Sequence, residues 1–217
     1  MRRVVTTSVL FFMFLVSTIC AEEAITLSGE RVILHDDGTW EYKKVPKQKE
    51  VKFRGVPWGA TAEGIKKHLS KEPVLEEKKG LMYEDKINEL GVYCCFNLAN
   101  GKFVRGNYAF KEEHANKNAF IWDFESIDEL LKEKYKEPFE HKELWLNDLY
   151  KDTPQDWGMA ISVGHYVIHS RWKIGKVYIT HILRGDNYNI VHVIQYSHED
   201  MKLIEQSLRK EEEQSKI

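Results

Sequence analysis

Histidine is the residue type in this sequence best suited to metal or acid–base chemistry, and four histidines lie on the last predicted strands: His165, His169, His181 and His192. A hairpin that turns at 186–187 places His181 opposite His192, and opposed side chains on neighbouring strands have Cβ atoms about 5 Å apart. Two imidazoles at that separation can share a metal ion, so we predict His181 and His192 as candidate metal ligands. A turn at 173–176 places His169 on the other face, so a third ligand would have to come from another element. The alternative is two imidazoles on a half-buried sheet face, which a register shift of one residue would separate.

No other residue pattern indicates catalysis. The sequence holds no Gly-x-Ser-x-Gly, His-Glu-x-x-His or Cys-x-x-Cys motif. Cys94 and Cys95 are adjacent on a predicted apolar strand, where they point to opposite faces and are expected to remain thiols with raised pKa values. Glu125, Asp128 and Glu129 are interpreted as the solvated start of a helix. We therefore predict no catalytic residue and no cofactor.

Two aromatic residues near the N-terminus form a candidate binding surface. Residues 25–42 are predicted to form a β-hairpin, because Asp37-Gly38 lies between two strand-forming segments. Trp40 and Tyr42 are alternate residues of the second strand and share one face. A two-stranded hairpin cannot bury both faces by itself, so this face must dock on the main domain or on another molecule. The sequence predicts Trp40 and Tyr42 as binding residues.

The first twenty residues are typical of a secretory signal peptide. Arg2 and Arg3 precede the apolar run 9–16, and small residues follow up to Cys20. The run is shorter than the about 20 apolar residues that a membrane-spanning helix needs. Cleavage after Cys20 would release a chain that begins at Ala21, whereas the alternative makes Cys20 the lipidated first residue of a lipoprotein. Both predict an extracytoplasmic protein, periplasmic in the simplest case, with no transmembrane helix in the mature chain.

The charge of the chain excludes some classes of partner. Its 217 residues include 32 Lys and Arg and 34 Asp and Glu. Loss of Arg2 and Arg3 with the leader leaves 30 basic and 34 acidic residues, a net charge of −4. This mildly acidic balance gives no basic surface for nucleic acid or anionic lipid. We expect a protein, a peptide or an envelope component as the partner.

The predicted elements give an α+β fold. Residues 21–44 are predicted to form the hairpin segment, 45–52 a charged, proline-containing linker and 53–217 the main domain. The main domain is predicted to contain two degenerate repeats, 53–122 and 123–197, each a helix followed by an antiparallel β-meander, and then a helix from about His198 to the end.

The two halves share their order of elements. A helix that begins at Thr61 and one that begins at Ser126 each end at Lys-Glu-Pro. The strands are predicted at 81–86, 92–98 and 103–110 in the first half, at 143–146, 159–163 and 167–173 in the second, and then at 177–183 and 190–196.

Two motifs resemble segments of uncharacterised exported bacterial proteins. The stretch Asp36-Asp37-Gly38-Thr39-Trp40-Glu41-Tyr42 resembles a hairpin near the N-terminus of many such proteins. Residues 53–61 follow the pattern F-x-G-x-x-W-G-x-[ST] and resemble the start of the first helix in a similar set.

The fold has a more distant resemblance. A helix that leads into a β-meander is similar to the small-protein-A and outer-membrane-assembly lipoproteins and to the β-lactamase-inhibitor-protein fold. Those proteins bind or scaffold, and Trp58-Gly59-Ala60-Thr61 stands here in place of their short Gly-Met-Thr signature. The resemblance implies a compartment and a fold, and it transfers no catalytic residue.

These features predict a non-catalytic binding or scaffolding protein of the bacterial cell envelope. The alternative is a small metal-dependent hydrolase, or a metal-binding module, that uses His181 and His192. A binding module should show a broad apolar patch, an enzyme a concave pocket with converging polar groups, and a metal module at least three converging ligands.

Overall fold

The structure, a computed structural model, describes residues 22–26, 31–35, 37–42 and 50–214, with side chains as far as residue 206. The predicted leader at 1–20, Cys20 within it, and residues 45–49 of the predicted linker lie outside the described residues. The chain divides into two units, Met1–Gln48 and Lys49–Ile217. Within the described residues, no helix is both long and apolar enough to cross a membrane.

The N-terminal unit contains a three-stranded antiparallel sheet, one strand more than the predicted hairpin. Its strands are β1 (Glu22–Ile25), β2 (Arg31–Leu34) and β3 (Trp40–Tyr42), in the order β1-β2-β3. Strands β2 and β3 form the predicted hairpin. Asp37 stabilises the turn, because its carboxylate accepts hydrogen bonds from the amide and the hydroxyl of Thr39 at 2.9 and 2.6 Å.

The second unit is built on one eight-stranded antiparallel sheet, in the order β4-β5-β6-β7-β11-β10-β9-β8. Its helices are α1 (Ala62–Leu69), α2 (Ala119–Tyr135), α3 (Trp157–Ser162) and α4 (Glu199–Gln214). Its strands are β4 (Leu75–Glu77), β5 (Gly80–Ile87), β6 (Leu90–Ala99), β7 (Lys102–Phe110), β8 (Glu140–Trp145), β9 (Tyr166–Ile174), β10 (Val177–Asp186) and β11 (Asn189–His198). Each half contains a helix followed by four antiparallel strands, with α3 inserted between β8 and β9 in the second half, and the halves join where β7 pairs with β11. The predicted α+β class is confirmed, whereas a common origin of the two halves stays a prediction.

The prediction of a strand at 159–163 is wrong, because this segment lies in α3 and just after it. A short apolar run cannot be assigned to helix or strand by its periodicity alone. Packing decides here: the Gly158 amide donates to the Asn118 Oδ1 atom at 2.6 Å, and Ala160 and Ile161 are fully buried. A Cβ atom at Gly158 would lie 2.2 Å from the Lys117 carbonyl carbon, so only glycine permits this contact.

The prediction that the second helix starts at Ser126 is also wrong, since α2 begins at Ala119. The first turns of α2 contain Phe120, Ile121 and Phe124, whose burial extends the helix upstream of the predicted cap. Ser126 lies within the helix, where its hydroxyl accepts a hydrogen bond from the Asn88 side chain at 2.8 Å. The predicted boundary at 122–123 therefore falls inside α2.

Helices α1 and α2 cover one face of the sheet. Ile65 of α1 and Ile127 of α2 pack in one core cluster with Trp172 of β9. The Trp172 indole donates to the Lys136 carbonyl at 2.8 Å, so the C-terminal end of α2 is attached to the sheet. This attachment fixes the position of α2 over β9 and β10, where the polar residues of the candidate site lie.

Candidate functional site

A chain of three buried polar side chains connects α2 with β10 and β11. The Asp128 Oδ1 atom lies 3.0 Å from His181 Nδ1, and His181 Nε2 lies 2.8 Å from His192 Nε2. Asp128, His181 and His192 are 3 %, 0 % and 5 % exposed. Aromatic rings enclose the imidazoles, since Phe124 stacks on His181 and Phe110 on His192, each at 3.9 Å between centroids.

The charge state of this chain follows from its hydrogen bonds. Burial raises the pKa of Asp128, but hydrogen bonds from His181 and Ser170 outweigh it, and the pKa lies below its usual value. Burial lowers the pKa of His181 and of His192, and the charge of a protonated His181 lowers the pKa of His192 further. An ionised Asp128 requires His181 to donate from Nδ1. His181 Nε2 then accepts, and His192 donates to it.

The structure brings the two predicted metal ligands together by a different register. His181 pairs with Ile194, and His192 pairs with Leu183, so the prediction that they lie directly opposite is wrong by two residues. A shift of two residues keeps both side chains on one face, and they meet along the diagonal. His169 lies on the other face as predicted, because it is the residue before Ser170, which pairs with His181. Within the described residues, no three His, Cys, Asp or Glu side chains form a group that could hold a metal ion.

A pocket of about 410 Å³ opens beside this chain, between α2 and the strands β8 and β9. We call it the α2–β8 pocket. Its polar and aromatic walls include Glu125, Lys132, His141, Glu143, Trp157 and Tyr166, and Asp128 lines its inner wall. The volume falls within the range of about 300–1,000 Å³ that is typical of small-molecule sites.

Asp128 is connected to the pocket through Ser170 and His141. Ser170 is fully buried and hydrogen-bonds Asp128. Since the ionised carboxylate can only accept, the Ser170 hydroxyl donates to it. The Ser170 oxygen lies 2.8 Å from His141 Nδ1 and therefore accepts from that nitrogen. In the neutral form of the ring, His141 then presents Nε2 as a hydrogen-bond acceptor at the pocket, where its side chain is 43 % exposed.

Asp128, Ser170 and His141 are site residues that were not predicted from the sequence. The interpretation of Asp128 as part of a solvated helix start is wrong, because Asp128 lies four residues after Phe124 and three before Leu131, on the buried face of α2. That spacing was a usable signal, since an acidic residue on an apolar helix face needs a buried partner. No comparable signal in the sequence indicates that Ser170 or His141 meets it.

Trp40 and Tyr42 lie together on β3. Their rings contact edge to face at 5.2 Å, and they are 55 % and 53 % exposed. Leu34 pairs with Trp40 and Val32 with Tyr42, so these four side chains share one face of the N-terminal sheet. Their role in binding stays a prediction.

Cys94 and Cys95 are free thiols in the environment predicted for them. Burial raises the pKa of Cys94 to about 12, and burial also raises the pKa of Cys95. A thiol with a raised pKa is a poor nucleophile at neutral pH.

Comparisons with known proteins identify no family for this chain. No family model matches it, and no curated protein matches it. A solved structure of a DUF4309 family protein from Bacillus subtilis, YjgB, is similar over 70 % of this chain and 88 % of its own, with 9 % sequence identity and a TM-score of 0.37. A similarity at that TM-score carries no argument about function. The sequence resemblance to exported bacterial proteins stays a prediction.

Proposed function

We propose that this chain is an exported, non-catalytic binding protein of the bacterial cell envelope, and that its ligand enters the α2–β8 pocket. The carrying observation is the pocket itself, where His141, Glu143 and Tyr166 converge with the α2 carboxylates. This pocket is not the broad apolar patch expected of a binding module but a concave site with converging polar groups, which small-molecule binding sites and enzymes share. The burial of Ser170 is what favours binding here. The leader-like sequence at 1–20 supports export.

The arrangement of Ser170 supports binding rather than covalent chemistry. A nucleophilic serine needs an exposed oxygen and a base that takes its proton. Ser170 is fully buried, and its proton is directed at Asp128, so its hydroxyl positions His141 instead. Cys94 and Cys95 do not line the α2–β8 pocket.

A second candidate function, a metal-binding module or metal-dependent hydrolase, is favoured by the contact between His181 and His192. Two nitrogens 2.8 Å apart fit a direct hydrogen bond, and metal binding would require both rings to move apart and a third ligand to approach. Metal content of residues 21–217, and their melting temperature with and without a chelator, test this candidate. Stoichiometric zinc that is lost in His181→Ala would establish it.

The pocket is tested with a ligand-observed NMR screen of cationic, neutral and anionic fragments against residues 21–217. Glu125→Trp should close the pocket from its exposed rim, and Glu133→Trp places the same side chain elsewhere on α2. We expect some fragments to bind the wild type and Glu133→Trp but not Glu125→Trp. If no fragment shows this dependence, the pocket is not a ligand site and the proposed function is wrong.

A further inference from the structure

Two carboxylates of the α2–β8 pocket lack a cationic partner. Lys132 is the pocket's one lysine, and its Nζ atom lies 2.8 Å from Glu129 Oε1 and 3.5 Å from Asp128 Oδ2. Lys132 is therefore occupied by those two acids. Within the described part of the chain, no hydrogen bond or ion pair neutralises Glu125. Among the described residues, Glu143 contacts only His141 and the Tyr166 hydroxyl.

Glu125 and Glu143 line different walls of the pocket, and both carboxylates act on the pKa of Tyr166. Glu125 belongs to α2 and Glu143 to β8, and Tyr166 lies within reach of both. Burial raises the pKa of Tyr166, and its hydrogen bond to Glu143 and the charges of both carboxylates raise it further. The charges that act on the Tyr166 hydroxyl are therefore negative, and a cation in the pocket would offset them.

His141 adds a neutral acceptor to this pair. Its Nε2 atom lies 3.9 Å from Glu143 Oε1. With Nδ1 committed as a donor to Ser170, both atoms across this gap are acceptors. A single N–H donor between them could reach each at ordinary hydrogen-bond distance.

Aromatic residues form one wall of the pocket. Trp145 stacks on Tyr166 at 4.1 Å, and Trp157 lies 5.8 Å from the same ring. Trp157 and Tyr166 both line the pocket. Rings of this type attract organic cations through their faces, most strongly where water is excluded.

We propose that the α2–β8 pocket binds an organic cation, an ammonium or guanidinium group, between Glu125 and Glu143 with His141 Nε2 as an additional acceptor. This inference rests on the proposed function and specifies the class of its ligand. The same chemistry is offered by a free polyamine and by a lysine or arginine side chain of a peptide. A guanidinium presents several donors in one plane and suits acceptors on more than one side.

The probes are spermidine, Nα-acetylarginine amide and the uncharged isostere Nα-acetylcitrulline amide, titrated calorimetrically into residues 21–217. We expect saturable binding of at least one cationic probe, at least tenfold weaker binding of the citrulline compound, and weaker binding at higher salt. Glu125→Gln and Glu143→Gln should each weaken binding about fivefold to tenfold. Glu133→Gln, which removes one charge from the exposed side of α2, should not.

A second readout is independent of any probe. Removal of one of the two negative charges that act on Tyr166 in Glu125→Gln should raise the melting temperature of the empty protein by about 1–3 °C, and Glu133→Gln should leave it within about 1 °C. Tighter binding of the arginine amide would indicate a peptide side chain as the source, and tighter binding of spermidine a free polyamine.

Equal binding of the arginine and citrulline compounds, or unchanged binding in both Gln variants, would overturn the inference. If neutral or anionic fragments bind the wild type but not Glu125→Trp while the cations fail, the proposed function stands and only the ligand class is wrong. If nothing binds in a manner that Glu125→Trp prevents, both are wrong.

Discussion

The Nε2 atoms of His181 and His192 lie 2.8 Å apart on the buried face of the sheet, and the other ring nitrogen of His181, Nδ1, lies 3.0 Å from Asp128 Oδ1. The two histidines come from neighbouring strands and the aspartate from α2, so one hydrogen-bonded chain ties the helix to the sheet. Asp128 also accepts from Ser170, which holds His141 at the α2–β8 pocket. Stability and the candidate site therefore depend on the same carboxylate.

Stability should fall as the pH falls below about 6.5. Burial lowers the pKa of His181 and His192 from the usual 6.5, so the unfolded chain takes up protons that the folded chain does not. The free energy of unfolding should then drop by up to about 1.4 kcal/mol per pH unit for each histidine. The lowered pKa of Asp128 acts in the same direction, but only below about pH 4.

Urea unfolding between pH 7 and pH 5 measures this dependence. His192→Gln should reduce the change in the free energy of unfolding per pH unit by the contribution of one histidine, whereas His68→Gln, on the exposed side of α1, should not reduce it. A stability that does not change over this range in the wild type would show that the two buried histidines are not held neutral.

Removal of the Asp128 carboxylate, which both His181 and Ser170 contact, should lower the free energy of unfolding. Asp128→Ala leaves His181 Nδ1 and the Ser170 hydroxyl without their partner in a buried region, so we expect the free energy of unfolding to fall by about 2–5 kcal/mol. Asp152→Ala, at an exposed position, should change it by about 0.5 kcal/mol at most. Chemical denaturation of both variants decides the matter, and similar stabilities would contradict the buried chain.

Two glycines should respond to alanine with opposite signs. A Cβ atom at Gly158 would lie 2.2 Å from backbone atoms of Lys117, so Gly158→Ala should destabilise the fold by about 2 kcal/mol or more. At Gly64, in α1, the nearest atom would be at an ordinary 3.5 Å, and Gly64→Ala should stabilise by about 0.5–1 kcal/mol. Melting temperatures of the two variants test whether α3 packs as described, since a harmless Gly158→Ala would place it elsewhere.

The exposed aromatic pair on β3 should be separable from the folding of the second unit. Trp40→Ala and Tyr42→Ala together remove half-exposed side chains from the N-terminal unit. We expect the thermal unfolding midpoint of the second unit to remain within about 1 °C. The amide-exchange protection of buried β10 residues should also be unchanged. A clear loss of protection in β10 would instead make Trp40 and Tyr42 part of the main core.

Most of the strands could be predicted from the sequence, but only part of the candidate site could. Alternating apolar residues located β5, β6, β7, β9, β10 and β11, and the two Lys-Glu-Pro segments marked the ends of α1 and α2. Strand β4 was missed because its three residues are all exposed, and α3 was assigned as a strand because a short apolar run has no decisive period.

The convergence of His181 and His192 was predictable because it depends on one local hairpin. A register error of two residues leaves both side chains on the same face of the sheet, although the predicted pairing of His181 with His192 was wrong. The contacts of Asp128, Ser170 and His141 join three elements that are distant in sequence. Hairpin geometry does not determine such contacts, so they required the tertiary packing of α2 on the sheet.

The most direct test of cation binding in the α2–β8 pocket is a nitrogen-15 NMR titration of the histidine side chains with Nα-acetylarginine amide. We predict that His141 is observed with its proton on Nδ1, and that the ligand shifts His141 Nε2 while the buried His181 and His192 signals remain in place. The citrulline amide should cause no such shift at the same concentration. If His141 does not respond, or responds equally to both compounds, the α2–β8 pocket does not bind cations as proposed.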